Sequence, residues 1–133
     1  EMGMALYGND IDDTTTPLEA NLGWVTKLAK GEFVGRAALQ AQKDAGVPRK
    51  LVGFTIAERA IPRHGHPVFA PDGTPSGTVC SGTMSPSLGI AIGTCYLPAA
   101  FAAEGTEFEV DVRGRRVKAT VVKPPFYKQA SHK

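Results

Sequence analysis

The stretch TEFEVDVRGRRVKATVV, residues 106–122, alternates apolar and polar side chains almost without interruption. Successive side chains of a β-strand point to opposite faces, so this period of two predicts two half-buried strands. Arg113–Gly114 separates the two runs and predicts the turn of a hairpin. The face expected to be buried contains Phe108, Val110, Val112, Val117, Ala119 and Val121. This part of the chain is therefore predicted to be antiparallel sheet.

Three segments before the hairpin also favour strands. KLVGFTIA (50–57) alternates as a strand, HPVFAPDGTPSGTVCSG (66–82) indicates strand, turn and strand, and LGIAIGTCYL (88–97) is typical of a buried strand. About six strands at regular spacing, without a strong helix between them, indicate an antiparallel Greek-key barrel or sandwich. The predicted fold class is mainly β with a short α-helical N-terminal segment.

The first third of the chain has a different pattern. Arg36 to Ala45 is rich in helix-forming residues and is followed by Gly46, so a helix is expected there. A helix or a single turn from Pro17 to Leu22, capped by Thr16, is also expected. Pro48 marks the boundary to the β region. The predicted organisation is a partly helical segment at 1–47, a β domain at 48–128 and a tail at 129–133.

Composition limits the function classes. The net charge of +2 over 133 residues is too small to indicate a nucleic-acid groove, and no run of about 18 apolar residues predicts a membrane span. The two cysteines, Cys80 and Cys95, and the histidines at 64, 66 and 132 do not match a zinc motif. We expect free, partly buried thiols, and neither a nucleic-acid nor a membrane partner. The chain begins with Glu1, which favours a piece of a longer protein.

The stretch TVCSGTMSPSLGIAIG, residues 78–93, contains the residue types of a nucleophile loop or a phosphate cradle. It lacks the Gly-x-Ser-x-Gly motif, and its glycines do not follow phosphate-loop spacing. A Cys80–His64 pair is conceivable, but nothing in the sequence indicates a lowered thiol pKa. We interpret the stretch as β-scaffold in which Ser85–Pro86–Ser87 joins two strands, and we expect no partner for Ser81. No catalytic residue is assigned to the chain.

Two other segments contain candidate ligand-binding residues. In IPRHGHPVF, Arg63 could clamp a carboxylate or could stabilise the turn. In PPFYK, Tyr127 and Lys128 join an aromatic plate to a cation, which suits a flat anionic ligand such as a pterin with a glutamate tail. The alternative is a terminal aromatic residue that closes the barrel. The carboxylates of Asp10, Asp12, Asp13 and Glu19 are expected in a solvated loop.

Six blocks of this chain, taken in order, resemble the glycine cleavage system T-protein family, the aminomethyltransferases: EMGMALYGNDIDDTTTPLEANLGW, KGEFVGRAALQAQKDAG, RKLVGFTI, IPRHGHPVF, GTVCSGTMSPSLGIAIG and GTEFEVDVRGRRVKATVVKPPFY. The resemblance covers residues 1–128. It implies that residues 1–47 are the incomplete C-terminal end of the folate-binding domain and that residues 48–128 are an antiparallel Greek-key barrel, the C-terminal domain. It implies transfer of a one-carbon unit from the aminomethyl-lipoyl arm of H-protein to tetrahydrofolate, with release of ammonia. It also implies that the family's catalytic aspartate precedes Glu1, so that this chain alone is inactive.

The resemblance assigns roles to individual residues. Arg63, Tyr127 and Lys128 match family positions near the folate, whereas Trp24 and Glu19 match a block assigned mainly to packing. Two alternatives are a non-catalytic β-barrel binding module and the tail of a folate-linked sarcosine or dimethylglycine oxidoreductase. A detached 1–47 segment exposes apolar surface, so self-association is also expected. The expected compartment is the bacterial cytoplasm, or the mitochondrial matrix if the source is eukaryotic.

Overall fold

Six antiparallel strands close into a barrel in the computed structural model, which describes residues 1–129. The strands are β1 (Arg49–Ile56), β2 (Pro67–Phe69), β3 (Pro75–Met84), β4 (Ala91–Pro98), β5 (Glu107–Val112) and β6 (Arg115–Val122). Their spatial order is β1-β4-β3-β2-β5-β6, and pairing of Gly53 on β1 with Val122 on β6 completes the closure. Strands β2, β3 and β4 form a meander, and β1 lies beside β4, which is a Greek key. The predicted fold class is confirmed.

The core of the barrel is filled by alternate residues of these strands. Phe54 on β1 meets Phe108 on β5 edge to face, with ring centroids 5.4 Å apart. Phe54 also lies against Gly93 on β4, where an added Cβ would be 2.5 Å from the ring. The predicted inward residues Val110, Val117, Ala119 and Val121 are all buried, as is Phe108. The alternation in the sequence therefore identified the core face of the hairpin correctly.

The hairpin turns at the predicted residues. Arg113 has φ 58° and Gly114 has φ 84°, which are the positive values that a two-residue turn between twisted strands requires. The amide of Gly114 donates a hydrogen bond to the Asp111 carboxylate at 2.6 Å. The turn fixes the register in which Val112 faces Arg115.

The chain before β1 lies against the barrel through a few polar contacts. Helix α1 (Arg36–Ala45) has the predicted bounds, and it has no fully buried residue among those described. Residues 17–21 form turns, which is the second of the two predicted alternatives; the Glu19 amide donates to the Thr16 hydroxyl at 3.3 Å. Glu19 is joined to the barrel because its carbonyl accepts a hydrogen bond from Leu51 of β1 at 2.8 Å. Short 3-10 turns occupy Leu28–Lys30 and Ala99–Phe101.

Two further observations concern the cysteines and the helices of the described residues. Both cysteines are free, as predicted, and both are buried rather than partly buried. No helix within residues 1–129 is long and apolar enough to cross a membrane. The predicted tail at 129–133 lies outside the described residues apart from Gln129.

Candidate functional site

Tyr127 and Lys128 line one open cavity of about 550 Å³ beside the C-terminal end of β6. Tyr127 is half-buried, whereas Lys128 is exposed. The charged residues of the cavity wall are Lys123, Lys128 and Glu104, so the wall has an excess of positive charge. The remaining lining residues include Thr55, Ser87, Leu88, Ile90, Val122, Pro125 and Phe126. The cavity thus combines an aromatic ring, apolar walls and cations, an arrangement that suits a flat anionic ligand.

Glu1 holds the segment that contains Tyr127. Its backbone carbonyl accepts hydrogen bonds from the amides of Phe126, at 2.9 Å, and of Tyr127, at 3.2 Å. Its carboxylate accepts hydrogen bonds from the Ser85 hydroxyl and from both the amide and the hydroxyl of Ser87, the latter two at 2.9 Å. The Ser85 hydroxyl is the main cause that lowers the pKa of the Glu1 carboxyl below its ordinary value. Glu1 therefore bears a negative charge at neutral pH and joins two parts of the cavity wall.

Two glycines allow the C-terminal segment to lie close to the barrel. Gly3 has φ +71°, and a Cβ there would be 2.6 Å from the Pro124 side chain. At Gly53 on β1, a Cβ would be 3.0 Å from both Pro124 and Phe126. Larger residues at either position would push this segment, and Tyr127 with it, away from β1.

Arg63 lies beside a different cavity. It is exposed, and its guanidinium donates a hydrogen bond to the carbonyl of Gly82 on β3 at 3.1 Å. Gly82 borders a cavity of about 540 Å³ that is also lined by Met2, Met4, Leu6, Ile92 and Phe126. The structure therefore brings Tyr127 and Lys128 together and separates Arg63 from them, because Arg63 lines neither cavity and is connected to the second one by its bond to Gly82. Phe126 lines both cavities. The contact with Gly82 gives the turn-stabilising alternative for Arg63 a physical basis.

Asp10 was expected in a solvated loop, and this expectation is wrong. Only 2% of its surface is exposed. Its carboxylate accepts hydrogen bonds from the Leu6 amide at 2.9 Å, from the Ser81 hydroxyl at 2.8 Å, and from the Thr94 hydroxyl. Ser81, for which no partner was expected, thus has one. Ser81 and Thr94 face each other on β3 and β4, and this hydroxyl pair is the sequence signal that could have indicated a nearby acceptor.

Asp10 anchors the N-terminal segment, residues 1–11, across β3 and β4. Besides its carboxylate contacts, its carbonyl accepts a hydrogen bond from the Tyr96 hydroxyl at 2.8 Å. Glu1 and Asp10 are therefore two attachment points of this segment to the barrel, and the cavity beside Gly82 lies under the residues between them. Glu19 is buried as well, and it accepts a hydrogen bond from Arg49 at 3.4 Å. Asp12 remains in a turn and is exposed, as expected, with its carboxylate bound by Thr14.

Comparison with known proteins decides the family. A family model described as the glycine cleavage T-protein C-terminal barrel domain matches residues 49–128. The chain belongs to this T-protein family. It is 54% identical over 129 residues to an aminomethyltransferase of Bacteroides thetaiotaomicron, and 49% identical over 132 residues to one of Nostoc. The match covers 96% of this chain in the first case and 98% in the second.

A solved structure shows the same architecture. The glycine cleavage system aminomethyltransferase T from Bartonella henselae superposes with a TM-score of 0.88 at 34% sequence identity and covers 96% of this chain. The chain spans about a third of the length of the relatives it matches: 36% of the Bacteroides protein, 35% of the Nostoc protein and 36% of the Bartonella structure.

The T-protein barrel has no activated thiol among its described residues. Burial raises the pKa of the Cys80 thiol to about 11, and the pKa of Cys95 is raised well above its ordinary value for the same reason. The Nδ1 atom of His64 is 2.7 Å from the Cys80 carbonyl oxygen, so the histidine contacts the backbone at this position. Within residues 1–129, no group of three His, Cys, Asp or Glu side chains could hold a metal ion. The interpretation of residues 78–93 as scaffold agrees with these contacts.

Trp24 does not pack as expected. Its side chain is 72% exposed, and it lines an open cavity together with Lys27, Lys43 and Lys50. Other large apolar side chains are exposed in the first third of this T-protein chain, namely Met2, Met4, Leu6, Tyr7, Val25 and Val34. Within residues 1–129 most of the Trp24 side chain is therefore uncovered, and the described residues alone do not provide the predicted packing.

Proposed function

We propose that this chain is the C-terminal part of a tetrahydrofolate-dependent aminomethyltransferase of the glycine cleavage system. The parent protein transfers a one-carbon unit from the aminomethyl-lipoyl arm of H-protein to tetrahydrofolate and releases ammonia. Membership of the T-protein family and the names of the relatives support this proposal. They also favour a transferase over the oxidoreductase alternative.

The observation that carries the folate proposal is the shared cavity of Tyr127 and Lys128. A pterin is flat and can stack on a tyrosine ring, and its glutamate tail is anionic and attracts lysine. The excess of positive charge on the cavity wall favours such a tail. We propose that Tyr127 and Lys128 bind tetrahydrofolate and that Arg63, which bonds to Gly82 on the wall of the neighbouring cavity, faces the folate side. Tetrahydrofolate supplies the acceptor for the one-carbon unit, and these side chains orient it.

Glu1 and Asp10 do not provide an acid–base group for the transfer. The carboxylates of Glu1 and Asp10 both accept several hydrogen bonds from protein donors, so their lone pairs are engaged in holding the fold. Because the chain spans about a third of the length of the relatives it matches, we propose that this chain by itself does not catalyse the reaction. A non-catalytic binding module is the alternative, and an assay of the intact gene product separates the two because only a transferase releases ammonia from aminomethylated H-protein.

A titration tests the folate proposal. We expect Lys128→Ala to weaken tetrahydrofolate binding by the intact protein about 10-fold, since a charge-assisted contact is worth about 1.5 kcal/mol. Lys118→Ala is the matched control because Lys118 is exposed on the outer face of β6 and pairs with Glu107 at 3.4 Å. Calorimetric affinities for Lys128→Ala and Tyr127→Ala that equal the wild-type value would contradict the assigned site.

The proposed macromolecular partner is the lipoyl-bearing H-protein. The exposed apolar side chains of the first third of the chain also support self-association when the chain is isolated. Sedimentation of the isolated chain, with and without H-protein, distinguishes self-association from binding to H-protein. The bacterial relatives support the bacterial cytoplasm as the compartment.

A further inference from the structure

We propose that Glu1 is a positioning residue for the cavity of Tyr127 and Lys128, acting by holding two of its walls at a fixed separation. The inference rests on the proposed function, because it concerns the same folate cavity. It gives a role to the Ser85–Pro86–Ser87 loop, which the sequence indicated only as a turn between β3 and β4.

The first wall is the loop between β3 and β4. Ser87 and Leu88 line the cavity, and the Ser87 amide and hydroxyl both donate to the Glu1 carboxylate. Ser85 is completely buried; its hydroxyl donates to Glu1 and accepts a hydrogen bond from the Leu88 amide at 3.1 Å. The loop is therefore folded around one carboxylate, which receives three donors. Each of these bonds is charge-assisted and stronger than a neutral hydrogen bond.

The second wall is the C-terminal segment. The Glu1 carbonyl receives the amides of Phe126 and Tyr127, and both residues line the cavity. The side chain and the backbone carbonyl of Glu1 thus connect two cavity walls that are far apart in sequence. Glu1 lines the neighbouring cavity beside Gly82 but not the cavity of Tyr127 and Lys128. Its effect on a ligand between Tyr127 and Lys128 is therefore exerted through Ser87, Leu88 and Tyr127.

Loss of the carboxylate should alter ligand binding without removing a ligand contact. In Glu1→Ala, the Ser87 donors lose their acceptor and the loop is released from the residue that also holds Tyr127. The aromatic ring and the lysine would then sample several separations, and part of the binding free energy would be spent on restoring the binding geometry. The same reasoning applies to Ser87→Ala, which removes one of the three side-chain contacts and leaves Glu1 in place.

The test uses the intact protein and tetrahydrofolate in steady-state assays and calorimetric titrations. We expect Glu1→Ala to raise both KM and Kd for tetrahydrofolate about 5- to 10-fold while kcat at saturating folate stays within 2-fold. Ser87→Ala should raise them about 3-fold, and Glu1→Ala combined with Ser87→Ala should be no worse than Glu1→Ala alone, because the two changes break a shared contact. Glu107→Gln, on the exposed face of β5, is the control for loss of a carboxylate and should change neither constant.

A merely structural role gives a different result. If Glu1 only stabilises the fold, Glu1→Ala lowers the active fraction and kcat while KM and Kd remain at the wild-type values, and the inference is overturned. If Glu1→Ala does not fold, Ser87→Ala decides the question by the same KM and Kd readout. If Lys128→Ala weakens folate binding but neither Glu1→Ala nor Ser87→Ala does, only this inference fails. If Lys128→Ala and Tyr127→Ala have no effect, the proposed folate site fails with it.

Discussion

Replacement of Asp10 is the sharpest test of how the N-terminal segment is attached. Its buried carboxylate accepts three hydrogen bonds, from Leu6, Ser81 and Thr94. A hydrogen bond to a charged group is worth about 1.5–3 kcal/mol, but the two hydroxyls can turn to other acceptors and part of the loss is recovered. We therefore expect Asp10→Ala to lower the free energy of unfolding by about 2–4 kcal/mol.

Asp10→Asn refines the expectation. Asparagine keeps one carbonyl oxygen as an acceptor and turns an NH₂ group toward hydroxyls that can reorient to accept from it. Asp10→Asn should therefore lower the free energy of unfolding about half as much as Asp10→Ala does, by about 1–2 kcal/mol. Asp13→Ala is the matched control, since Asp13 is an exposed carboxylate in the next turn, and it should change stability by less than about 0.5 kcal/mol.

Urea unfolding of the purified protein followed by circular dichroism measures all three variants. For a cooperative unit of this size, the alanine variant should also lower Tm by about 10 °C. A double-mutant cycle of Asp10→Ala with Ser81→Ala should give a coupling energy of about 1 kcal/mol. The reasoning is refuted if Asp10→Ala and Asp13→Ala cost the same, or if the cycle shows no coupling, because the buried network would then contribute nothing to the attachment.

Three further predictions concern the barrel. The Cys80 thiol, with a pKa of about 11 where an ordinary thiol has 9.0, should react with iodoacetamide at pH 8 about 100-fold more slowly in the folded protein than after unfolding. The raised pKa also means that its contribution to stability is complete below pH 9 and is lost as the pH rises toward 11, which thermal unfolding across this range would show. Gly93→Ala places a Cβ 2.5 Å from the Phe54 ring and should lower the free energy of unfolding, measured by chemical denaturation, by about 1–3 kcal/mol. Gly23→Ala, where the nearest neighbour of the added Cβ is 3.8 Å away, should change it little. Equal effects of the two substitutions would disprove the clash. Arg113→Asn should stabilise the hairpin by about 0.5 kcal/mol, because Asn tolerates φ 58° better, and a lowered Tm would contradict this.

The strands and the hairpin could be predicted from the sequence because their signals are local. The alternation of residues 106–122 and the positive-φ turn at Arg113–Gly114 need only neighbouring residues to be recognised. Helix α1 is a similar case, since its helix-forming residues and Gly46 define both bounds within one short window. In each case the residues that determine the local structure lie close together in the sequence.

The attachment points could not be predicted in the same way. Asp10 binds hydroxyls 71 and 84 residues further along the chain, and Glu1 binds serines 84 and 86 residues away. Nothing near either carboxylate in the sequence distinguishes it from Asp13, which is exposed. For the cavity of Tyr127 and Lys128, the residue types alone indicate a ligand-binding site. The separation of these residues from Arg63 could not be predicted, because it depends on the path of the C-terminal segment over Gly3 and Gly53.

The pairing of β1 with β6 also governs how fast this domain can form. Val122 must be synthesised before Gly53 has its partner on β6, and at about 5–20 residues per second the ribosome needs roughly 3–14 seconds for that interval. During this time the outer edge of β1 has unpaired backbone groups, which are open to pairing with other chains. Most of the contacts that close the barrel are distant in sequence, which slows folding further. Nascent chains of this domain are therefore expected to depend on chaperones until the last strand is made.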